Sequence, residues 1–484
     1  MPLASLRILA FINGIFLITL ALSMLVPVVT LLIFEQPQKI NAFLWSSLIT
    51  ALVGIAMIAQ GRPKQTQLRP RDMYMLTVSS WVMVSIFAAL PFMFAERASI
   101  TDAYFESMSG ITATGATVFS GLDDMSPGTL IWRSLLHWLG GIGFIGMAVA
   151  ILPILRIGGM RLFQTESSDR SEKVMPRSHM VAKYMVLAYV GLSTFAVLAF
   201  WLAGMGLFDA INHAMSAIAT GGFSTSDSSL GKWQEPAIHW VAIVVMVLGS
   251  LPFVLYVSTL RGNYRALFRD AQVRGFLLLL VGSWFVLAGW KWLTTDLYWL
   301  DALRLVAVNI TSIMTTTGFA VGDYHLWGPF ASMMFFYLGF VGGCSGSTAG
   351  GLKIFRFQVA YILLKANLKQ LIHPRAVIKQ HYNRHRLDED IVRSILAFAF
   401  FYTITIATLA LAVAMCGVDW ITALTGAAAM VSGVGPGMGE MVGPAGNYAT
   451  IPDLAKWLLS LGMLLGRLEI LTVLVLLFPA FWRH

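Results

Sequence analysis

Four segments decide the fold: MSGITATGATVFSG (108–121), MSAIATGGFSTS (215–226), NITSIMTTTGFAVG (309–322) and AAAMVSGVGPGMG (427–439). Each ends a semi-apolar run of about 12–15 residues, near 100–112, 207–219, 300–314 and 419–431. Such runs are too short to cross a hydrocarbon core, which takes about 20 helical residues, so they are expected to be re-entrant. Each starts close to an acid (Asp102, Asp209, Asp301 or Asp419) that suits a helix N-terminus, and each finishes in a glycine turn. Gly115, Gly221, Gly318 and Gly435 are 106, 97 and 117 residues apart. A unit of roughly 100 residues therefore recurs four times, reading span, short helix, glycine turn, span.

The flanking sequence supplies the spans. Of 484 residues, 57% are hydrophobic and 12% charged, with a mean hydropathy of +0.74. Soluble domains carry about 25% charge, so an ordinary globular enzyme is excluded. Spans are expected near 8–34, 41–60, 73–95, 129–155, 181–205, 237–260, 276–293, 392–416 and 455–481. A tenth begins near 328, is interrupted over 342–351 and resumes to about 364. The first follows only Arg7 and is too long for a signal-peptide core, so it is expected to stay as a span. Cys344 and Cys416 imply no disulfide framework. The fold class expected is an all-α polytopic membrane protein: an N-terminal two-span extension (1–68) and pore repeats at 69–175, 176–270, 271–390 and 391–484.

Charge orients the chain. The net charge of +9 could suggest a nucleic-acid partner, but the positions of the charges argue against one. Blocks 61–72, 156–183, 261–274 and 353–393, with Arg7 and Arg483, hold 25 of the 33 Lys and Arg residues and only 8 of the 24 acids. Ten crossings put all of them, and both termini, on one face, which the positive-inside rule makes cytoplasmic. Acids on the opposite face, Glu96, Asp102, Asp123, Asp124, Asp227 and Asp323, either draw cations toward the protein or keep the loops soluble.

Four re-entrant turns meeting at one axis suit a cation. Irregular backbone at membrane depth is viable where protein covers it or it lines a watery cavity. The partially negative C-terminal end of each short helix points inward, and the following carbonyls can replace a hydration shell. Glycine is expected there because it readily takes the positive φ that turns successive carbonyls to one side. Thr114, Thr220, Thr316 and Thr317 add hydroxyls. With one principal glycine per turn, discrimination among potassium, rubidium and sodium is expected to be weaker than in a TVGYG filter.

These units, together with GGCSGSTAGG (342–351), HWLGGIGFIGMAVAILPILRIGGMRLF (137–163) and GRLEILT (466–472), resemble the membrane subunit of bacterial Trk potassium uptake systems, in the Trk/Ktr/HKT superfamily. The likeness covers essentially the whole chain, including the extra N-terminal pair. It implies a potassium filter at Ala113, Thr114 and Gly115; Ala219, Thr220 and Gly221; Thr316, Thr317 and Gly318; and Gly433, Val434 and Gly435. The fourth turn departs from the pattern, with Val434 before its glycine and Pro436 after, so carbonyls alone are expected from it.

The stretch Gly342, Gly343, Cys344, Ser345, Gly346, Ser347, Thr348, Ala349, Gly350, Gly351 holds a helix poorly. It is either a packing kink or a movable gate, and the resemblance favours the gate. Arg467 lies within the last span, two residues before Glu469; it is either half of an ion pair with Glu469 or Glu106, or, as the resemblance implies, a positive charge facing the pore. The resemblance further implies an inner-membrane homodimer with one pore per subunit. A cytoplasmic ring of nucleotide-binding regulatory domains (TrkA-like) would dock on the basic blocks, which lipid headgroups also attract. Nucleotide is expected on that partner alone, with no tightly bound cofactor here and potassium as the transported ion. A cation symporter (proton- or sodium-coupled) or a sodium-conducting relative is the alternative. A membrane enzyme built on His137, His213 and His239 is disfavoured because no two share metal-ligand spacing on one helix.

Overall fold

The computed structural model describes residues 3–61, 69–150, 178–376, 378–383 and 385–483. Most of the basic block 156–183, most of block 61–72 and the end of the expected span 129–155 lie outside the described residues. Among the described residues the chain is helical apart from loops and a β-hairpin pairing His381 with Arg386 and Tyr382 with His385, a small departure from an all-α fold.

Among the described residues, six helical stretches are long and apolar enough to cross a membrane: Ser5–Ile33, Pro37–Gln60, Pro70–Ala95, Ala182–Leu202, Ala271–Thr294 and Glu389–Met415. The outer surfaces of these are greasy, with Leu202 79% and Leu278 78% exposed, whereas Glu106, Arg133, Asn212 and His213 are buried. That distribution is the reverse of a soluble protein's and fits a lipid solvent. In the N-terminal pair, Gly14 and Gly54 face each other so closely that a Cβ on either would press on the other's carbonyl oxygen. Small residues at such a crossing let two apolar helices pack by van der Waals contact, the main force available in lipid. Asn13 Nδ2 donates to Ser79 Oγ at 3.0 Å, fastening the pair to the Pro70–Ala88 helix.

The four expected re-entrant segments are short helices, Ile100–Thr112, Leu207–Ile218, Trp299–Met314 and Trp420–Ser432. Side-chain caps start two of them: the Asp102 N–H donates to Ser99 Oγ and the Thr422 N–H to an Asp419 carboxylate oxygen.

Two spans expected to be continuous are broken. The segment 237–260 forms Pro236–Ser250 and Phe253–Leu260 at 93°, and 455–481 forms Asp453–Arg467 and Ile470–Leu477 at 112°. In the first, Pro252 interrupts the helix, and the freed groups find partners in the glycine-rich stretch. The Cys344 and Thr348 N–H groups donate to Ser250 O and Gly249 O, and the Phe253 N–H donates to Gly346 O. In the second, Glu469 sits at φ 58°, held there by Arg356 at 2.7 Å. The third break was expected: Pro329–Leu338 and Ile354–Ile372 flank the loop. In the first unit the helix Pro127–Ala150 runs unbroken through the described residues.

Candidate functional site

Each short helix ends in the same hydrogen-bonded turn. The N–H groups of Ala113, Thr220, Thr316 and Gly433 donate to the carbonyls of Gly110, Ala217, Ile313 and Met430. Those of the next residues, Thr114, Gly221, Thr317 and Val434, donate to Ser109, Ser216, Ser312 and Ala429. This 5→2 and 6→1 pairing is a Schellman close, and its left-handed residue takes φ 52°, 52°, 57° and 71° in turn. Two residues later a second positive φ falls on Gly115 (85°), Gly222 (88°), Gly318 (88°) and Gly435 (90°).

The equivalent triads are therefore Ala113-Thr114-Gly115, Thr220-Gly221-Gly222, Thr316-Thr317-Gly318 and Gly433-Val434-Gly435. The sequence-based set for the second turn, Ala219, Thr220 and Gly221, is one residue early. Ala219 still has right-handed helical geometry, and Gly221 is the middle residue without a positive φ. The adjacent Gly221 and Gly222 made the register ambiguous in sequence, and the helix-closing hydrogen bonds resolve it.

The four turns form a closed cycle. A Cβ on Gly115 would strike Gly221 O, one on Gly222 would strike Thr317 O, one on Gly318 would strike Val434 O, and one on Gly435 would strike Thr114 O at 2.5 Å. Each glycine thus abuts the middle carbonyl of the next turn, and the fourth returns to the first. The Gly435 carbonyl itself accepts from the Tyr448 hydroxyl at 2.9 Å.

The hydroxyls divide into two groups. Thr114 and Thr317 share hydrogen bonds with Thr112 and Thr315, at the ends of their own helices, at 2.8 and 2.7 Å. Thr220 and Thr316 instead engage the glycine-rich loop. Thr220 Oγ1 donates to Thr348 Oγ1 at 3.3 Å, and Thr316 Oγ1 accepts from the Gly350 N–H at 2.7 Å. The loop also touches the second short helix, where Thr348 Oγ1 donates to Ile218 O, and the fourth, where the Gly351 N–H donates to Ser432 O. Gly342, Gly346 and Gly351 carry positive φ, and a Cβ on Gly342, Gly343, Gly350 or Gly351 would strike neighbouring atoms. Cys344 and Ser347 are fully buried, and the Ser345 N–H donates to Gln272 Oε1 at 2.8 Å.

Arg467 is buried against this loop. Its Nη1 donates to Thr348 O at 2.6 Å and its guanidinium lies 4.1 Å from the Phe144 ring centre. Among the described residues, its Nε and Nη2 have no hydrogen-bond partner. The ion pair considered from sequence does not form, because Glu469 pairs with Arg356 and Glu106 with Arg133, both at 2.7 Å. Arg467 ends the first half of the broken last span, at its bend. Sequence reasoning missed Lys353, whose Nζ donates to Ala349 O, so a second cation holds a neighbouring loop carbonyl.

It also missed a repeat signal. Leu-Gly occurs at 139–140, 248–249, 338–339 and 465–466, as well as at 230–231 and 461–462. A Cβ on Gly140, Gly249 or Gly466 would meet the carbonyl oxygen of Ile111, Ile218 or Val431, the matching position of each short helix, and Gly339 meets the Ile313 side chain more loosely. These glycines let each span reach its own turn.

The acids that follow the first two turns are structural partners. Asp123 accepts from Lys232 Nζ at 2.8 Å and Ser226 Oγ at 3.0 Å, and Asp227 accepts from the Gly121 and Leu122 N–H groups. The Asp123 carboxylate holds the Lys232 ammonium above its usual range. His137, His213 and His239 are hydrogen-bonded to Ser216, to Ser224 and Asp209 O, and to Arg304 and Trp233 O, in three separate environments.

The model of a family described as the cation transport protein TrkH matches residues 39–483. The Trk system potassium uptake protein TrkI of Halomonas elongata is 48% identical over 469 residues, covering 96% of this chain and 95% of that protein. The Trk system potassium uptake protein TrkH of Escherichia coli strain K12 is 34% identical over 488 residues, covering 99% of each. The crystal structure of the potassium transporter TrkH from Vibrio parahaemolyticus superimposes with a TM-score of 0.91 at 33% identity over all of both chains. With four helix-closing turns in a ring and these likenesses along its length, the chain belongs to the TrkH family of cation transport proteins, a family of transporters rather than enzymes.

Proposed function

We propose that the protein carries potassium through one pore per chain, selected by the four turns and gated by the 342–351 loop with Arg467. One observation carries the reading: the glycine of each turn abuts the middle carbonyl of the next, in an unbroken cycle of four. A closed ring of backbone carbonyls held at fixed spacing is suited to replacing the water around a dehydrated monovalent cation. The filter residues are Ala113, Thr114 and Gly115; Thr220, Gly221 and Gly222; Thr316, Thr317 and Gly318; and Gly433, Val434 and Gly435. Gating is supported by the loop's hydrogen bonds to Thr220, Thr316 and Ser432 and by the Arg467 charge on Thr348 O. The relatives' names, Trk system potassium uptake proteins, support the choice of potassium and of a system with further subunits.

In this reading the chain is a two-span extension followed by four pore units. It lies in the inner membrane with both termini cytoplasmic, assembles as a homodimer and takes its regulation from a cytoplasmic nucleotide-binding ring. The test is rescue of a potassium-uptake-deficient bacterium, followed by rubidium and sodium flux in vesicles with and without a proton gradient. Growth at low potassium and gradient-independent rubidium flux are expected. Flux that requires the gradient would favour a symporter, and equal sodium flux a sodium-conducting relative.

A further inference from the structure

Resting on the filter reading above, we propose that Glu106 and Arg133 are positioning residues for cation discrimination, a buried ion pair that ties the first, second and fourth turns into one stiff frame. Their side chains are 0% and 1% exposed and meet at 2.7 Å. Taking two charges out of water is expensive, so such a pair is weak evidence of stability and better evidence of a geometric task.

The partners show what that task is. The Glu106 carboxylate accepts from Thr117 Oγ1 and from the Val118 N–H, both at 3.0 Å, in the segment that leaves the first turn. Arg133 spreads its fork between units: Nη2 donates to Thr117 Oγ1 at 3.1 Å, and Nη1 crosses to Ser224 O at 3.0 Å in the segment that leaves the second turn. The guanidinium lies 4.1 Å from the ring centre of Phe223, the residue after Gly222. On the other side, Thr117 O accepts from the Tyr448 N–H at 2.8 Å, and the Tyr448 hydroxyl donates to Gly435 O in the fourth turn. One continuous path therefore runs from Gly435 through Tyr448, Thr117, Glu106 and Arg133 to Ser224.

Among the described residues, the other units lack this device. Seven residues before the left-handed residue of each turn stand Glu106, His213, Asn309 and Gly426. His213 meets Ser224 Oγ at 2.9 Å, and Asn309 accepts from the Val321 N–H at 3.0 Å. Where Gly426 has no side chain, the neighbouring Thr425 Oγ1 accepts from the Met438 N–H at 2.9 Å. Each of these ties its own helix to the segment that leaves its own turn. The first alone among the four is charged, and charge-assisted bonds are shorter and about twice as strong as neutral ones. Where carbonyl spacing sets which ion fits, a ring rejects sodium by resisting closure around the smaller ion, and a brace shared by three turns supplies that resistance.

The experiment uses full-length protein in proteoliposomes at matched amounts of folded protein, reading the sodium-to-rubidium flux ratio. A role in folding alone would change protein yield and total flux but leave the ratio unmoved. The double variant Glu106→Gln/Arg133→Gln leaves no uncompensated charge and is expected to raise the ratio about tenfold, equivalent to about 1.4 kcal/mol of discrimination. Arg133→Lys keeps the charge but not the fork, so an intermediate rise is expected. Gly115→Ser, which acts on the ring directly, serves as the control. A shifted ratio in Gly115→Ser with an unchanged ratio in the double variant overturns the brace and leaves the filter standing. An unchanged ratio in both removes the filter reading and the brace with it. Should the double variant fail to insert, Arg133→Lys and Thr117→Val decide by the same ratio.

Discussion

The turn around Gly221 and Gly222 shows how far residue-level reading goes. The helix ends are legible to within a residue or two, because acids and glycines bracket the short apolar runs, yet the resemblance places the second triad one position early. Two consecutive glycines offer two places for a positive φ, and hydrogen bonds from the helix end decide between them. The two glycines should therefore fail for different reasons. Gly222→Ala puts a Cβ at φ 88° against Thr317 O, a backbone atom that cannot turn away, so loss of ion discrimination or of folded protein is expected even when side chains nearby are trimmed. Gly221→Ala meets the His137 ring instead. Combining it with His137→Ala should recover folded protein and rubidium flux, measured by gel filtration and isotope uptake; equal failure of Gly221→Ala and the double variant would contradict the assigned register. Glu106, Arg133 and Tyr448 were not legible as a site, because their meeting depends on contacts between units that no local pattern encodes.

Among the elements, the broken spans carry the most information. Hydropathy saw apolar stretches of the right length at 237–260 and 455–481 but not their bends, since a bend at Pro252 or Glu469 leaves the average apolarity intact. The partner groups explain why breaks are tolerated at that depth: loop N–H groups satisfy the carbonyls of Gly249 and Ser250, and Arg356 neutralises Glu469. Arg356→Ala would leave Glu469 buried without its ion-pair partner, and a destabilisation of about 3–5 kcal/mol is expected in detergent unfolding, largely relieved by adding Glu469→Gln. Unchanged stability in Arg356→Ala would contradict that role. Shortening 342–351 by several residues should raise basal rubidium flux and leave the ion order unchanged, as the ring carbonyls come from other segments. Arg467→Ala should act in the same direction by removing a positive charge from the loop's Thr348 carbonyl. The two changes should be less than additive, because loop and arginine touch. Flux falling to zero in an inserted, folded loop variant would mark the stretch as a packing kink.

For the whole molecule, apolar composition made the helical membrane fold legible in the sequence and glycine spacing pointed to the four helix-closing turns, whereas the one-sided basic blocks remain the argument for its orientation. Topology follows from the same argument: single cysteines at Lys379 should label from the cytoplasm, and at Asp124 and Asp227 from outside, with the reverse pattern overturning the ten-span scheme. The remaining question is whether the cycle of turns is the filter. The measurement that decides it is the sodium-to-rubidium flux ratio of purified protein in proteoliposomes, compared among wild type and Gly115→Ser, Gly222→Ser, Gly318→Ser and Gly435→Ser. Each substitution drives a Cβ into the neighbouring turn's carbonyl, so a ratio raised about tenfold is expected in every variant that folds. A wild-type ratio in all four, at normal amounts of folded protein, would contradict the assignment of the ring as the filter.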